Sequence, residues 1–191
     1  YIPASSASWL QDHIVLFGGK GLNEFNESAL WAFPLGIPKG HLKRKWRKVS
    51  FFGKEVPKMR YYHSFTRCQP SESGEMIALF GGTTDRAGVE GGNDLWLLGV
   101  SGKPGEILWK QMKVEKSTEN LYHHIAFWHD SKLKVYGGIS QSSWSTGLYV
   151  FDLLGGKKTE YFTLHEEDQY STVHVSAEKG VVIGSELFVL G

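Results

Sequence analysis

This sequence predicts an all-β fold built from tandem four-stranded units, and three observations carry that prediction. Leu16-Phe17-Gly18-Gly19 recurs as Leu79-Phe80-Gly81-Gly82 and Val135-Tyr136-Gly137-Gly138, and Val189-Leu190-Gly191 begins the pattern a fourth time. The first glycines lie 63, 56 and 54 residues apart, a period that belongs to an array of one structural unit. Between turn clusters the apolar runs are short, and none holds a helical period over the roughly 11 residues a helix assignment needs.

The unit from Arg60 to about Val114 shows the strands most clearly. His63 to Cys68 alternates as a first strand, and Gln69-Pro70-Ser71-Glu72-Ser73-Gly74 is a turn cluster. Met76 to Phe80 is a continuous apolar run, as expected of a strand buried on both faces. Gly81-Gly82 ends it, where positive φ and close backbone approach are easiest. A polar loop leads to a third strand, Asp94 to Leu98, and Leu108 to Met112 is the fourth. In the first unit Ala29–Phe33 and Lys45–Val49 fill the third and fourth positions; in the third unit Leu148–Phe151 and Glu160–Leu164 do so. Four strands per unit at a spacing near 55 residues is the sequence form of a β-propeller blade.

These residues resemble the kelch repeat. The glycine doublet after an apolar run, the third-strand aromatics Trp31, Trp96 and Tyr149, and the fourth-strand Trp46 and Trp109 match its pattern. Pro57-Lys58-Met59-Arg60-Tyr61-Tyr62-His63-Ser64 matches the P-x-x-R-x-x-H-S that opens repeats in one branch of the family. Its successor, Ser117 to His124, aligns His123 with His63 but has Ser117 for the proline and Asn120 for the arginine. The resemblance implies a kelch-type β-propeller fragment of about three complete four-stranded blades plus half of a fourth. The blades are expected at 1–52, 60–114 and 120–165, with an incomplete one at 171–191. Kelch propellers close with about five to seven blades, so the remaining blades are expected from the same longer chain or from another chain.

Composition bounds the function. The 191 residues are 41% hydrophobic and 14% aromatic, which is globular. A formal net charge of +1 gives no overall field toward nucleic acid or membrane. No apolar run approaches the roughly 20 residues of a membrane helix. Cys68 is the single cysteine, so an internal disulfide is excluded, and an intracellular setting, cytoplasmic or nuclear, is expected. Asn26-Glu27-Ser28 is a sequon read as a turn.

Candidate chemistry is sparse. Adjacent strand residues face opposite sides, so His123 and His124 cannot share an ion, and the shared repeat position of His63 and His123 argues for packing. Glu166, Tyr170 and His174 resemble the E-x3-D-x3-H iron motif of nitrile-specifier kelch proteins, but Tyr170 replaces its carboxylate. The copper-radical oxidase propellers need a Cys–Tyr crosslink, whereas Cys68 is placed in a buried strand as an inert thiol. The basic stretch from Lys39 to Lys48 reads as a solvent-facing edge that discourages strand pairing, ahead of a nucleic-acid contact. No catalytic residue, metal or cofactor is assigned.

The resemblance implies a non-catalytic protein-interaction module, a scaffold or substrate-recognition domain. Alternatives are a structural subunit of a large assembly or a metal-dependent propeller enzyme. Partners of such propellers dock on the second-to-third-strand loops, here Lys20–Ser28, Thr83–Asn93 and Ser140–Ser145. The inter-blade segments Lys54–Tyr62, Lys116–Tyr122 and Glu166–Tyr170 complete that face. The residues expected to bind a protein or peptide partner are Arg60, Tyr61, Asp85, Arg86, Tyr122, Gln141 and Trp144, because arginines and aromatics dominate interface hot spots. An acidic or carboxylate-ended peptide held by Arg60 or Arg86 is the expected pose.

Overall fold

A computed structural model of the chain describes residues 6–19, 29–36, 44–51, 55–69, 74–84, 92–100, 107–115, 118–141, 143–153, 160–163 and 179–190. All regular structure in them is strand. The first sheet is an antiparallel meander of β1 (Ser6–Leu10), β2 (His13–Phe17), β3 (Leu30–Pro34) and β4 (Arg47–Val49). The second repeats it with β5 (Ser64–Cys68), β6 (Met76–Phe80), β7 (Leu95–Val100) and β8 (Ile107–Met112). The third holds β9 (Ile125–His129), β10 (Lys132–Tyr136), β13 (Gly147–Phe151) and β14 (Glu160–Thr163), with a short hairpin, β11 (Ile139–Ser140) and β12 (Ser143–Trp144), inserted after its second strand. A two-stranded sheet, β15 (Lys179–Ile183) and β16 (Glu186–Leu190), completes the set.

The sheets pack face to face, and each first strand touches the next: β1 on β5, β5 on β9, β9 on β15. That contact chain places the first strands around a common axis, which is propeller geometry. The alternation of each strand sends one set of side chains to the preceding sheet and the other to the following one. Leu10, Val15, Phe17 and Leu30 of the first sheet meet Phe65, Ile77, Leu79, Leu98 and Trp109 of the second. Cys68, Ala78, Phe80 and Leu97 of the second meet Leu133, Val135, Tyr149 and Phe151 of the third. Ile125 and Tyr136 of the third meet Leu187 and Val189 of the fourth. Each fully buried Leu or Phe contributes about 1.5–3 kcal/mol, so these junctions hold the array together.

The expected strands are found within a residue or two of their ends. Two readings change. Ser140–Ser145, expected as a second-to-third-strand loop, overlaps the hairpin of β11 (Ile139–Ser140) and β12 (Ser143–Trp144). The repeat register is also shifted by one: the counterpart of His63 is His124, not His123. A Cβ on Gly82 would lie 2.6 Å from the Cβ of His63 and 2.8 Å from the Tyr61 carbonyl oxygen. A Cβ on Gly138 would lie 2.8 Å from the Cβ of His124 and from the Tyr122 oxygen. Arg60, Tyr61, Tyr62 and His63 therefore correspond to Leu121, Tyr122, His123 and His124. Tyr62 and His123 accordingly share a left-handed backbone, φ 58° and 56°.

The second glycine of each doublet is required by that approach. Gly82 has φ +84°, which costs an L-residue about 1–2 kcal/mol, and the clash adds an overpacking cost of about 1–3 kcal/mol. Gly82→Ala is expected to lower stability by roughly 2–5 kcal/mol. A denaturant melt checks this, and a midpoint unchanged from that of the parent would refute the packing argument.

Candidate functional site

At one end of the sheets the glycine doublets meet the described inter-sheet residues and, in the third sheet, the β11–β12 hairpin. They are tied by a backbone belt that the repeat generates twice. Gly19 N donates to Arg60 O at 2.9 Å, and Gly82 N donates to Leu121 O at 2.8 Å, the same bond at successive junctions. Within the second sheet Tyr61 and Thr83 exchange both backbone bonds, at 3.0 and 2.9 Å. Leu121 N donates to Gly92 O at 2.9 Å, and Tyr122 exchanges bonds with Ile139, at 3.2 and 2.8 Å. The described inter-sheet residues are therefore tied to the glycine doublets by main-chain bonds.

Trp144 stands on this face with 48% of its surface exposed. It sits opposite Ile139 in the β11–β12 hairpin, and Ile139 pairs laterally with Tyr122. Two strand spacings, about 10 Å, thus separate the Trp144 backbone from Tyr122. Across the adjoining junction the rings of Tyr62 and His123 stack at 3.6 Å between centroids. Tyr61 lies edge-on to Tyr62 at 4.9 Å, and Tyr122 is tilted against His123 at 5.7 Å. His123 N also donates to Tyr62 O at 3.1 Å, tying the two left-handed residues together. The outcome is a half-buried aromatic band across the junction of the second and third sheets, with Trp144 beside it.

Arg60 serves the scaffold, not the surface. Only 3% of it is exposed. Its Nη1 and Nη2 grip the Asp94 carboxylate, the latter at 2.7 Å from Oδ2. Nη1 also donates to Gly81 O and Nε to Lys58 O, each at 3.0 Å. Trp96 Nε1 donates to Asp94 Oδ2 at 2.7 Å. Burial by itself would raise the Asp94 pKa, but the bonds and charge of Arg60 outweigh it and hold the carboxyl below its ordinary range. The third sheet has Leu121 at the arginine position, fully buried in the apolar core.

Two histidines lie under the belt. His63 is pushed down to about 3 by burial first, then by the charge of Arg60; a Phe17 backbone contact opposes the shift without cancelling it. His124 is pushed down to about 3 by burial and then by His123. Its Nε2 is 3.0 Å from the Ser64 hydroxyl of the preceding sheet. Both are neutral packing groups at inter-sheet junctions. Ser6, at the position of Ser64 one sheet earlier, donates its hydroxyl to His63 O at 2.6 Å.

Several expected binding residues are thereby corrected. Arg60, Tyr61 and Tyr122 are buried: the guanidinium is spent on Asp94 and two carbonyls, and both tyrosines pack under the belt. The Arg60 guanidinium already holds the Asp94 carboxylate. Trp144 and Gln141 are exposed on the hairpin, with Gln141 at its turn. Asp85 and Arg86 lie outside the described residues, as do Glu166, Tyr170 and His174. The sequence reading did not single out Tyr62, and it assigned His123 to packing as the counterpart of His63; the one-residue register error hid the equivalence of Tyr62 and His123.

Burial pushes the Cys68 thiol up to about 12, so it behaves as an inert core group. Among the described residues no group of three or more His, Cys, Asp or Glu is placed to hold a metal ion.

Repeated four-stranded sheets, glycine-doublet belts and first strands gathered on an axis define a kelch-type β-propeller. The KLHDC2/KLHL20/DRC7 Kelch-repeats domain model matches residues 4–191, and the chain belongs to this kelch-repeat family. Comparison with proteins of curated function finds no match. Kelch-repeat domains generally mediate protein–protein interaction and are generally not catalytic.

Proposed function

We propose that this chain is a non-catalytic recognition module that docks a peptide or protein segment on its loop face, with Trp144 as the anchor. The observation that carries this is the half-exposed Trp144 on a hairpin fixed by main-chain bonds beside the Tyr62–His123 stack. A large aromatic held rigidly binds at low entropic cost, which is why tryptophan and tyrosine dominate hot spots. With Arg60 neutralised by Asp94, an acidic ligand depends on Arg86, and the aromatic contact carries the reading.

Peptides selected from a random displayed library on the immobilised chain provide the test. Trp144→Ala is expected to weaken their binding by at least about thirtyfold, the scale of a 2 kcal/mol hot spot. Arg86→Ala is expected to weaken acidic peptides selectively. Selected peptides that bind Trp144→Ala as tightly as the parent would overturn the assignment.

A further inference from the structure

The outermost strand of the first sheet carries a dense run of cations. Arg44, Lys45, Arg47 and Lys48 fall within five residues, and no acidic residue occurs from 44 to 51. All four are exposed. Among the described residues, none of Arg44, Lys45 and Arg47 is paired with a carboxylate. Trp46, inside the run, packs on Phe33 at 5.4 Å between ring centroids and fixes the run against β3. β4 pairs with β3 through Val49 opposite Leu30, Lys48 opposite Trp31 and Arg47 opposite Ala32. Its other side pairs with no described strand, so its outward N–H and C=O groups form a template for one more strand. The fourth strand is outermost in every four-stranded sheet here, so this edge belongs to the strand order of the sheet itself.

Charge on an edge strand ordinarily keeps other strands away, but guarding does not account for this run. The outer strands of the other sheets carry far less: β8 holds Lys110 alone, and β14 holds Glu160 and no cation. Crowding like charges also costs stability through self-repulsion. The first sheet therefore presents a field of one sign along a pre-formed edge, and its complement is an acidic chain. We propose that β4 takes up an extended acidic segment of a protein partner as a fifth strand of the first sheet. Main-chain bonds along β4 supply affinity, and side chains decide which segment binds. Arg47 and Lys48 are consecutive, so they stand on opposite faces of the sheet. A strand laid beside them needs an acidic residue for each face, so the segment recognised carries adjacent Glu or Asp residues. This surface is separate from the one around Trp144, which is on the third sheet's hairpin.

Fluorescence anisotropy tests the edge with a labelled synthetic peptide in which Glu-Glu pairs are set among Val and Thr to favour an extended chain. The peptide is expected to bind the full chain and to bind at least about threefold more weakly as salt rises from about 0.05 to 0.5 M. Gln in place of every Glu is expected to weaken it about tenfold. Methylating one alternate set of peptide nitrogens is expected to abolish binding, and methylating the other set to leave it, because only one set faces β4. Arg47→Glu together with Lys48→Glu is expected to weaken binding about thirtyfold, by removing two attractive pairs and adding two repulsive ones. Arg44→Ser with Lys45→Ser, which leaves β4 itself intact, is expected to weaken it about fivefold. Any of four outcomes overturns the proposal: no binding up to about 1 mM peptide, equal binding of the Gln peptide, both methylated peptides binding as the parent peptide does, or an oligo(dT) strand binding more tightly than the peptide. The last would make the run a nucleic-acid contact.

Discussion

Acidification from pH 6.5 to 4 is expected to remove about 1.4 kcal/mol of folding stability per pH unit for each of His63 and His124. The sign follows from the two states. Unfolded histidines take up protons below about 6.5, whereas burial holds both native rings neutral down to about 3. In that window the unfolded chain binds more protons, so stability present above 6.5 is lost as pH falls. By pH 4.5 the two together withdraw about 5 kcal/mol, a large share of the 5–15 kcal/mol that holds a domain folded. The Asp94 carboxyl is held below its ordinary 3.8, so most of its contribution is lost at lower pH than that of the histidines. Urea midpoints at pH 7.5, 6, 5 and 4.5 check the slope. His63→Phe, packed among Phe17, Phe65 and the belt, is expected to halve it. A slope unchanged in that variant would show that His63 is not a titrating load on the fold.

Arg60→Ala is expected to cost about 3–5 kcal/mol, the scale of breaking a buried ion pair by removing one partner. It leaves Asp94 partly buried without its bidentate partner and strips donors from the Gly81 and Lys58 carbonyls. Those carbonyls lie in the inter-sheet segment and the glycine doublet, so the loss falls on the belt that fixes the loop face. Arg60→Lys is expected to recover only part of it, because an ammonium cannot reproduce the planar, two-pronged grip. The paired change of Arg60 and Asp94 to leucine is expected to cost much less than Arg60→Ala, since no charge is then left unpaired. The third sheet is uncharged at both places, with Leu121 in the arginine position and Gly147 in that of Asp94. Denaturant melts of the variants give the comparison; equal stability of Arg60→Ala and the parent would refute a structural role for the pair. Arg60→Ala also removes the positive charge that helps depress His63, so its acid slope is expected to soften.

The repeat and the strand order were legible in the sequence because each is a local pattern. A glycine doublet after an apolar run, and alternation with period two, state their geometry within a few residues. The register of the third repeat was not legible. Spacing from Ser117 favours His123 as the counterpart of His63, whereas contact with Gly138 selects His124. A one-residue shift moves a side chain from the core to the surface, so this error hid His123 as a surface ring. The fate of Arg60 was equally out of reach: its partners are 34 residues away in Asp94 and 21 away in Gly81.

From the amino-acid sequence alone came a kelch-type array, its four-strand period and the expectation that partners dock on its loop face. Tertiary structure decided which residues of that face belong to the scaffold. It buried Arg60, Tyr61 and Tyr122 in the belt, stacked Tyr62 on His123 and lifted Trp144 on a hairpin. Local pattern sets which way a side chain alternates, but only the neighbouring sheet determines whether that side meets water or protein. The same reason buries Trp109: the first sheet lies over it and leaves it 6% exposed.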